Sequence, residues 1–167
     1  ELAPQPALDS VFFAIWVAAL GSAAIGLLQW LDLEGALQMY ALQADAGDRA
    51  MGNLGQPNQL ATLLLMGVAA LAWTFERQRI GYIGFFVGTA FLTLGLVFTQ
   101  SRAGMLSAIT VAVFLMWRNH GSSARLAPRL VLIWILAYGA AVLLLPSLFE
   151  WLLLGGSRSM NPGVAAA

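Results

Sequence analysis

Five apolar stretches follow one another along this chain: Val11 to Trp30, Asn58 to Phe75, Ile80 to Thr99, Ser101 to Trp117 and Leu130 to Leu154. Each is near the roughly twenty residues a helix needs to cross a bilayer. The spacing predicts an all-α, polytopic transmembrane bundle of about five spanning helices. Composition agrees, because 60% of the residues are hydrophobic and 10% are charged, against roughly a quarter charged in an ordinary soluble domain. A water-soluble fold has no way to hide that much apolar surface. The formal net charge is zero and all eight basic residues are arginine, so no basic stripe exists to neutralise a nucleic-acid backbone. Nucleic acid is therefore not an expected partner. Cysteine is absent, which removes disulfides and thiolate metal sites without identifying a compartment.

Arginine placement sets the expected orientation, because loops on the cytoplasmic side carry the basic excess. Arg77 and Arg79 fall on the short connection Glu76 to Arg79, and Arg118, Arg125 and Arg129 on the linker Arg118 to Arg129. Arg49, Arg102 and Arg158 stand singly on the opposite side, with Asp32, Glu34, Asp45 and Asp48 crowded before the second helix. On this assignment residues 31–57 form a periplasmic segment, and the Thr99 to Ala103 turn and the tail 155–167 also face outward. Leu31 to Ala46 mixes apolar with acidic and amide residues, the pattern of a helix lying flat on the membrane surface. In the third stretch Gly84, Gly88 and Gly95 recur at helical spacing, a face on which a neighbouring helix can approach closely. The chain opens on Glu1 and closes on Gly163 to Ala167, so both ends are read as cuts from something longer. No basic residue precedes the first apolar run, and no signal peptide is evident.

Two polar stretches stand at outward-facing helix starts. In Asp48 to Gln59, Pro57 suits the first turn of a helix, where its missing N–H costs nothing. Asn58 and Gln59 then lie in that first turn. The free N–H groups of a helix start favour an anion, Arg49 nearby adds a bidentate cation, and Gly52 and Gly55 let backbone come close to a ligand. In Thr99 to Gly104, Ser101 is placed to cap the fourth helix with Arg102 beside it, and an arginine this close to hydrocarbon usually has a partner or a task. Pairing of Arg102 with Asp48, or snorkelling to headgroups, is the plain alternative. If the two starts converge, they form one pocket for a phosphate-bearing lipid headgroup, and two arginine clamps suit a diphosphate. His120, the only histidine, falls on the opposite side and reads as a solvated loop residue. Glu150, near the outer end of the fifth helix, reads as a pairing partner for arginine, with action as a base the alternative.

Arg49-x-x-Gly52, then Gly55-Gln56-Pro57-Asn58-Gln59-Leu60-Ala61, then Thr99-Gln100-Ser101-Arg102-Ala103-Gly104 one hairpin later, together resemble the O-antigen ligase superfamily. Within it the pattern is most similar to the PglL-type bacterial protein O-oligosaccharyltransferases. The resemblance covers roughly Arg49 to Trp117. It implies a fragment of a larger GT-C-like glycosyltransferase of the bacterial inner membrane, active on the periplasmic face. Such an enzyme takes glycan from an undecaprenyl-diphosphate-linked oligosaccharide to a protein hydroxyl, or to lipid A core in the sister ligases. By position, Arg49 and Arg102 would contact the donor diphosphate, Gln56, Asn58, Gln59 and Ser101 would order the pocket's rim, and Arg158 would be a further contact. No metal or other cofactor is implied. The family is also expected to carry more helices before this region and, after it, a large periplasmic loop with a histidine that activates the acceptor. Residues 155–167 read as the start of that loop, so the fragment is expected to lack a complete catalytic set and to be inactive alone. Polymerisation of O-antigen is a sister activity that these motifs do not separate. A transporter or flippase for a lipid-linked substrate would also want arginine at helix starts, but should show paired broken helices in matching halves, and none is visible. A non-catalytic scaffold would leave Gln56 to Gln59 unexplained.

Overall fold

The computed structural model describes residues 5–31, 49–119 and 126–159, and they are built of five α-helices. These are α1 (Gln5–Trp30), α2 (Pro57–Glu76), α3 (Tyr82–Phe98), α4 (Arg102–Asn119) and α5 (Pro128–Ser159), with a short 3-10 turn at Gly52–Leu54. The described residues are thus all-helical in their regular structure, in keeping with the apolar runs. Three segments are long and apolar enough to cross a membrane: Ala7–Trp30, Pro57–Glu76 and Pro128–Leu145. A fourth, Tyr82–Phe98, is apolar but shorter. The remaining helix, α4, carries Arg102, Ser107, Thr110, Arg118 and Asn119, which dilute its apolar length. The helix at the end of the chain continues through Gly155–Ser159, where the sequence pattern suggests the beginning of a loop. The surface helix expected at Leu31 to Ala46 lies outside the described residues, apart from Leu31, and so do Asp48 and His120.

α2 is the hub. Of its apolar window 61% is buried, against 17% for α1 and 11% for α5. Small residues make this possible, because they let backbones approach where lipid gives no hydrophobic drive between helices. A Cβ added at Gly67 would run into the Ala19 methyl of α1. One added at Gly88 would stand 2.8 Å from Leu71 Cδ2, and one at Gly95 would stand 3.2 Å from both Ala23 Cβ and Leu64 Cδ1. Two of the three glycines on α3 therefore do serve close packing. Gly84 does not: it is exposed, with only Ile80, in the connection before α3, within 4 Å, while its neighbour Phe85 makes the contact with α2 by stacking on Phe75 at 4.4 Å. Leu60, Leu64, Leu71, Phe75, Leu92 and Leu96 fill the core between α1, α2 and α3. Outward, Ile83, Trp117 and Leu143 are at least 75% exposed, an apolar belt that only lipid or further helices can cover favourably.

The two ends of the bundle differ. One gathers the start of α1, both short connections and the start of α5. There Asp9 of α1 pairs with Arg79 at 3.3 Å and accepts from Trp73 Nε1 at 3.3 Å, and the Arg77 guanidinium lies 4.8 Å from the centre of the Trp73 ring. Glu76 accepts the Leu126 N–H at 2.6 Å, and Asn119 Nδ2 donates to the Leu126 carbonyl at 3.0 Å. Arg77 and Arg79 thus lie at the same end as Arg118, at the close of α4, and Arg129, at the start of α5. The other end gathers the close of α1, the 49–56 segment, the start of α2, the close of α3 and the start of α4.

Candidate functional site

The second end is where the two motif stretches meet. α2 opens at Pro57, in its first turn, with Gln56 extended before it. α4 opens at Arg102, and Ser101 caps it by accepting the Gly104 N–H at 2.9 Å. The same hydroxyl donates to Asn58 Oδ1 at 2.8 Å. These residues are 43 positions apart in sequence, and the contact joins the two helix starts directly. Gly104 makes the approach possible, since a Cβ there would stand 2.8 Å from the Ala61 methyl, one turn along α2 from Asn58.

That contact also orients the Asn58 amide. Ser101 Oγ receives the Gly104 N–H and gives its single proton to the Asn58 amide oxygen, which as an acceptor suits that proton where the amide nitrogen does not. Asn58 therefore presents its oxygen to Ser101 and turns its two N–H donors away. Asn58 is exposed, and those donors have no partner among the described residues.

The turn between α3 and α4 is held from beneath. Thr99 is fully buried; its hydroxyl donates to the Leu96 carbonyl at 2.7 Å and accepts the Ser101 N–H at 3.3 Å. Gln100 takes the left-handed conformation, φ 46°, which swings the chain sharply enough to begin α4 two residues later. Such a conformation is uncommon outside glycine, and nothing in the sequence marks it.

Arg49 reaches this end on irregular backbone. The Ala50 N–H donates to the Phe98 carbonyl of α3 at 3.1 Å. Gln29, near the close of α1, accepts from the N–H groups of Met51 at 3.2 Å and Gly52 at 2.7 Å, and donates to the Gly52 carbonyl at 2.9 Å. Trp30 stacks on Phe98 with ring centres 4.1 Å apart. Sequence reading misses Gln29 altogether, because an isolated amide at the end of an apolar run carries no pattern. Gly52 also departs from expectation. It is buried, with φ 57°, and a Cβ there would stand 3.1 Å from Leu60 Cδ1 and 3.4 Å from the Ser22 carbonyl oxygen. Its freedom from a side chain lets the segment lie on α1 and α2 rather than on a ligand. Gly55, with φ 70°, closes the 3-10 turn and is exposed.

Arg49 and Arg102 are both exposed, and neither has a hydrogen bond or ion pair among the described residues. The acids whose side chains are described, Asp9 and Glu76, are at the far end, and Asp48, the pairing partner named in the alternative reading of Arg102, is outside the described residues. Gln56 and Gln59 are exposed on the same end without side-chain bonds among those residues. Arg158 and Glu150 lie on α5, and only their backbone is described. The structure thus brings Asn58 and Ser101 into contact and sets Arg49 and Arg102 on their end of the bundle.

Comparison with known proteins adds an independent line. The family described as protein glycosylation ligase matches residues 50–75, the segment that runs from the Gln29-held backbone through the first motif and along α2. The chain is 23% identical over 138 residues to the general O-oligosaccharyltransferase of Acinetobacter baylyi, covering 80% of this chain and 23% of that protein. It is 25% identical over 111 residues to the ComP-specific O-oligosaccharyltransferase of the same organism, covering 66% of this chain and 20% of that protein. The chain spans about a fifth to a quarter of the length of these relatives. No solved structure matches it. Motifs and matches agree in pointing to one family, and the chain is similar to the PglL-type protein O-oligosaccharyltransferases.

Proposed function

We propose that this region is the donor-binding part of a membrane glycosyltransferase that moves glycan from undecaprenyl diphosphate to a protein hydroxyl at the periplasmic face of the inner membrane. One observation carries the reading: the Ser101–Asn58 hydrogen bond, which joins two distant motifs at one end of the bundle. Around that joint stand two guanidinium groups, the fixed N–H donors of Asn58 and the first-turn backbone N–H groups of α2 and α4. All are donors or cations, the set that a diphosphate takes. The names of the relatives supply the reaction class, and the arginine bias of the connections supports placing this end outward.

In the proposed reaction the acceptor oxygen attacks the anomeric carbon, the bond from that carbon to the diphosphate oxygen breaks, and the lipid diphosphate leaves with the electron pair. Arg49 and Arg102 stabilise the negative charge that grows on the leaving group, and the bundle holds them in place before the reaction begins. The acceptor's proton passes to the histidine loop that the family resemblance implies.

Affinity for geranylgeranyl diphosphate, measured on the protein in nanodiscs with inorganic pyrophosphate as competitor, tests this. R49A and R102A should each weaken binding by about tenfold, one lost charge-assisted contact. Competition by pyrophosphate separates headgroup recognition from partition of the lipid tail. Undiminished binding in both variants overturns the reading.

A further inference from the structure

We propose that Gln29 is a positioning residue for Arg49, a role that rests on the reading of Arg49 as a diphosphate contact. Asn58, Gln59, Ser101 and Arg102 all ride on helices or on a helix cap, so the packing of α2 against α4 fixes them. Arg49 alone among the candidate contacts at this end stands on irregular backbone, and a site residue on a loop is only as well placed as the groups that brace the loop.

Gln29 is that brace. It is 4% exposed, too enclosed to touch a ligand itself. Its oxygen takes two backbone N–H groups and its nitrogen gives to one carbonyl, so both ends of the amide are engaged and it cannot flip without breaking bonds. α1 is shaped to receive the segment. Gly26 lies on the same face one turn earlier, and a Cβ there would stand 3.1 Å from Leu60 Cδ2 and 3.4 Å from the Ala50 methyl. Gly52 supplies the left-handed turn, and the Ala50–Phe98 bond ties the next residue to α3.

The brace is not needed to begin α2. That helix starts at Pro57, well after the braced residues, whereas Arg49 stands two residues before the Met51 N–H that Gln29 holds. The grip therefore acts upstream, on the placement of the Arg49 guanidinium relative to Arg102.

A double-mutant cycle separates this role from a general structural one. Geranylgeranyl diphosphate affinity is measured in nanodiscs for wild type, Q29A, R49A, Q29A/R49A and R102A. Q29A should weaken binding by about fivefold, within the coupling range of neighbouring groups, while Q29A/R49A should bind no more weakly than R49A. An equal Q29A loss with and without Arg49 overturns the proposal, and so does unchanged affinity in Q29A when R49A is impaired. Wild-type affinity in both R49A and R102A sinks the diphosphate reading instead. Q29M fills the same space without a charge and removes all three bonds. It carries the same comparison should Q29A fail to fold, and a loss that persists without Arg49 again overturns the proposal.

Discussion

Asn58→Asp is the sharpest probe of the site, because it inverts the outward polarity of one side chain and leaves its inward contact in place. An aspartate oxygen still accepts the Ser101 hydroxyl, which still caps α4 through Gly104, so folding stability should change little. Toward the ligand everything changes. Two N–H donors vanish, and a hydrogen bond to a charged partner contributes about 1.5–3 kcal/mol. A carboxylate replaces them, and two like charges about 4 Å apart repel by about 1 kcal/mol even at the dielectric of bulk water. The lower figures together come to about 2.5 kcal/mol, or about a fiftyfold loss of affinity at 1.4 kcal/mol per factor of ten. Asn58→Ala should lose about tenfold, since it removes donors without adding charge. Titration of geranylgeranyl diphosphate into nanodisc-held protein, with the thermal midpoint as control, reads both. If Asn58→Asp bound within twofold of wild type while R102A was impaired, the orientation argued for the Asn58 amide would be wrong.

Four further substitutions concern the scaffold. Gly67→Ala should lower stability, because the Ala19 methyl it meets is fixed to helix backbone: overpacking costs about 1–3 kcal/mol, more than the gain of about 1 kcal/mol in helix propensity. Gly139→Ala, with nothing within 4 Å, should keep that gain and raise the thermal midpoint in detergent. Between α3 and α5, Trp134 Nε1 donates to Thr93 Oγ1 at 2.8 Å, and that hydroxyl donates on to the Thr89 carbonyl at 2.6 Å. Trp134→Phe should cost about 0.6 kcal/mol, an average interhelical bond in a membrane. Thr93→Val should cost more, about 1–3 kcal/mol, because it strands a half-buried indole N–H; equal losses in thermal midpoint would show that the indole finds another acceptor.

The helices were legible because crossing a bilayer demands length and apolarity together, and runs such as Asn58 to Phe75 satisfy both. The motif ends were legible for a related reason. Pro57, Asn58, Ser101 and Arg102 are out of place in an apolar chain unless they mark helix starts, and Pro57 and Ser101 have opening and capping preferences that place them there. What escaped was set by distant packing. Gln29 looks like the frayed end of an apolar run until the 50–52 segment folds back on it. Gly52 and Gly104 look like permissive backbone, yet their value lies in the Leu60 and Ala61 side chains they let approach. Gly84 misled for the converse reason: it shares its neighbours' spacing, but at that level of α3 the contact with α2 is made by Phe85 on Phe75, and the glycine beside it stays exposed.

The contrast between the bundle's ends bears on what this one receives. At the connection end, Asp9 takes Arg79 and Trp73, Arg77 rests on the Trp73 ring, and Glu76 holds a backbone N–H. Charges there are spent on the protein itself. At the motif end the buried polar groups are just as fully engaged, since Thr99, Ser101 and Gln29 each make two or more bonds. Their effect, however, is to hold Asn58 and the backbone that carries Arg49 and Arg102, whose exposed side chains are unpartnered among the described residues. A scaffold gains nothing from supporting such groups so carefully, because an interfacial arginine can satisfy itself in water and headgroups. Fixing donors before a ligand arrives makes sense when the ligand is an anion whose charge must be met without rearrangement, which is the demand a departing diphosphate makes.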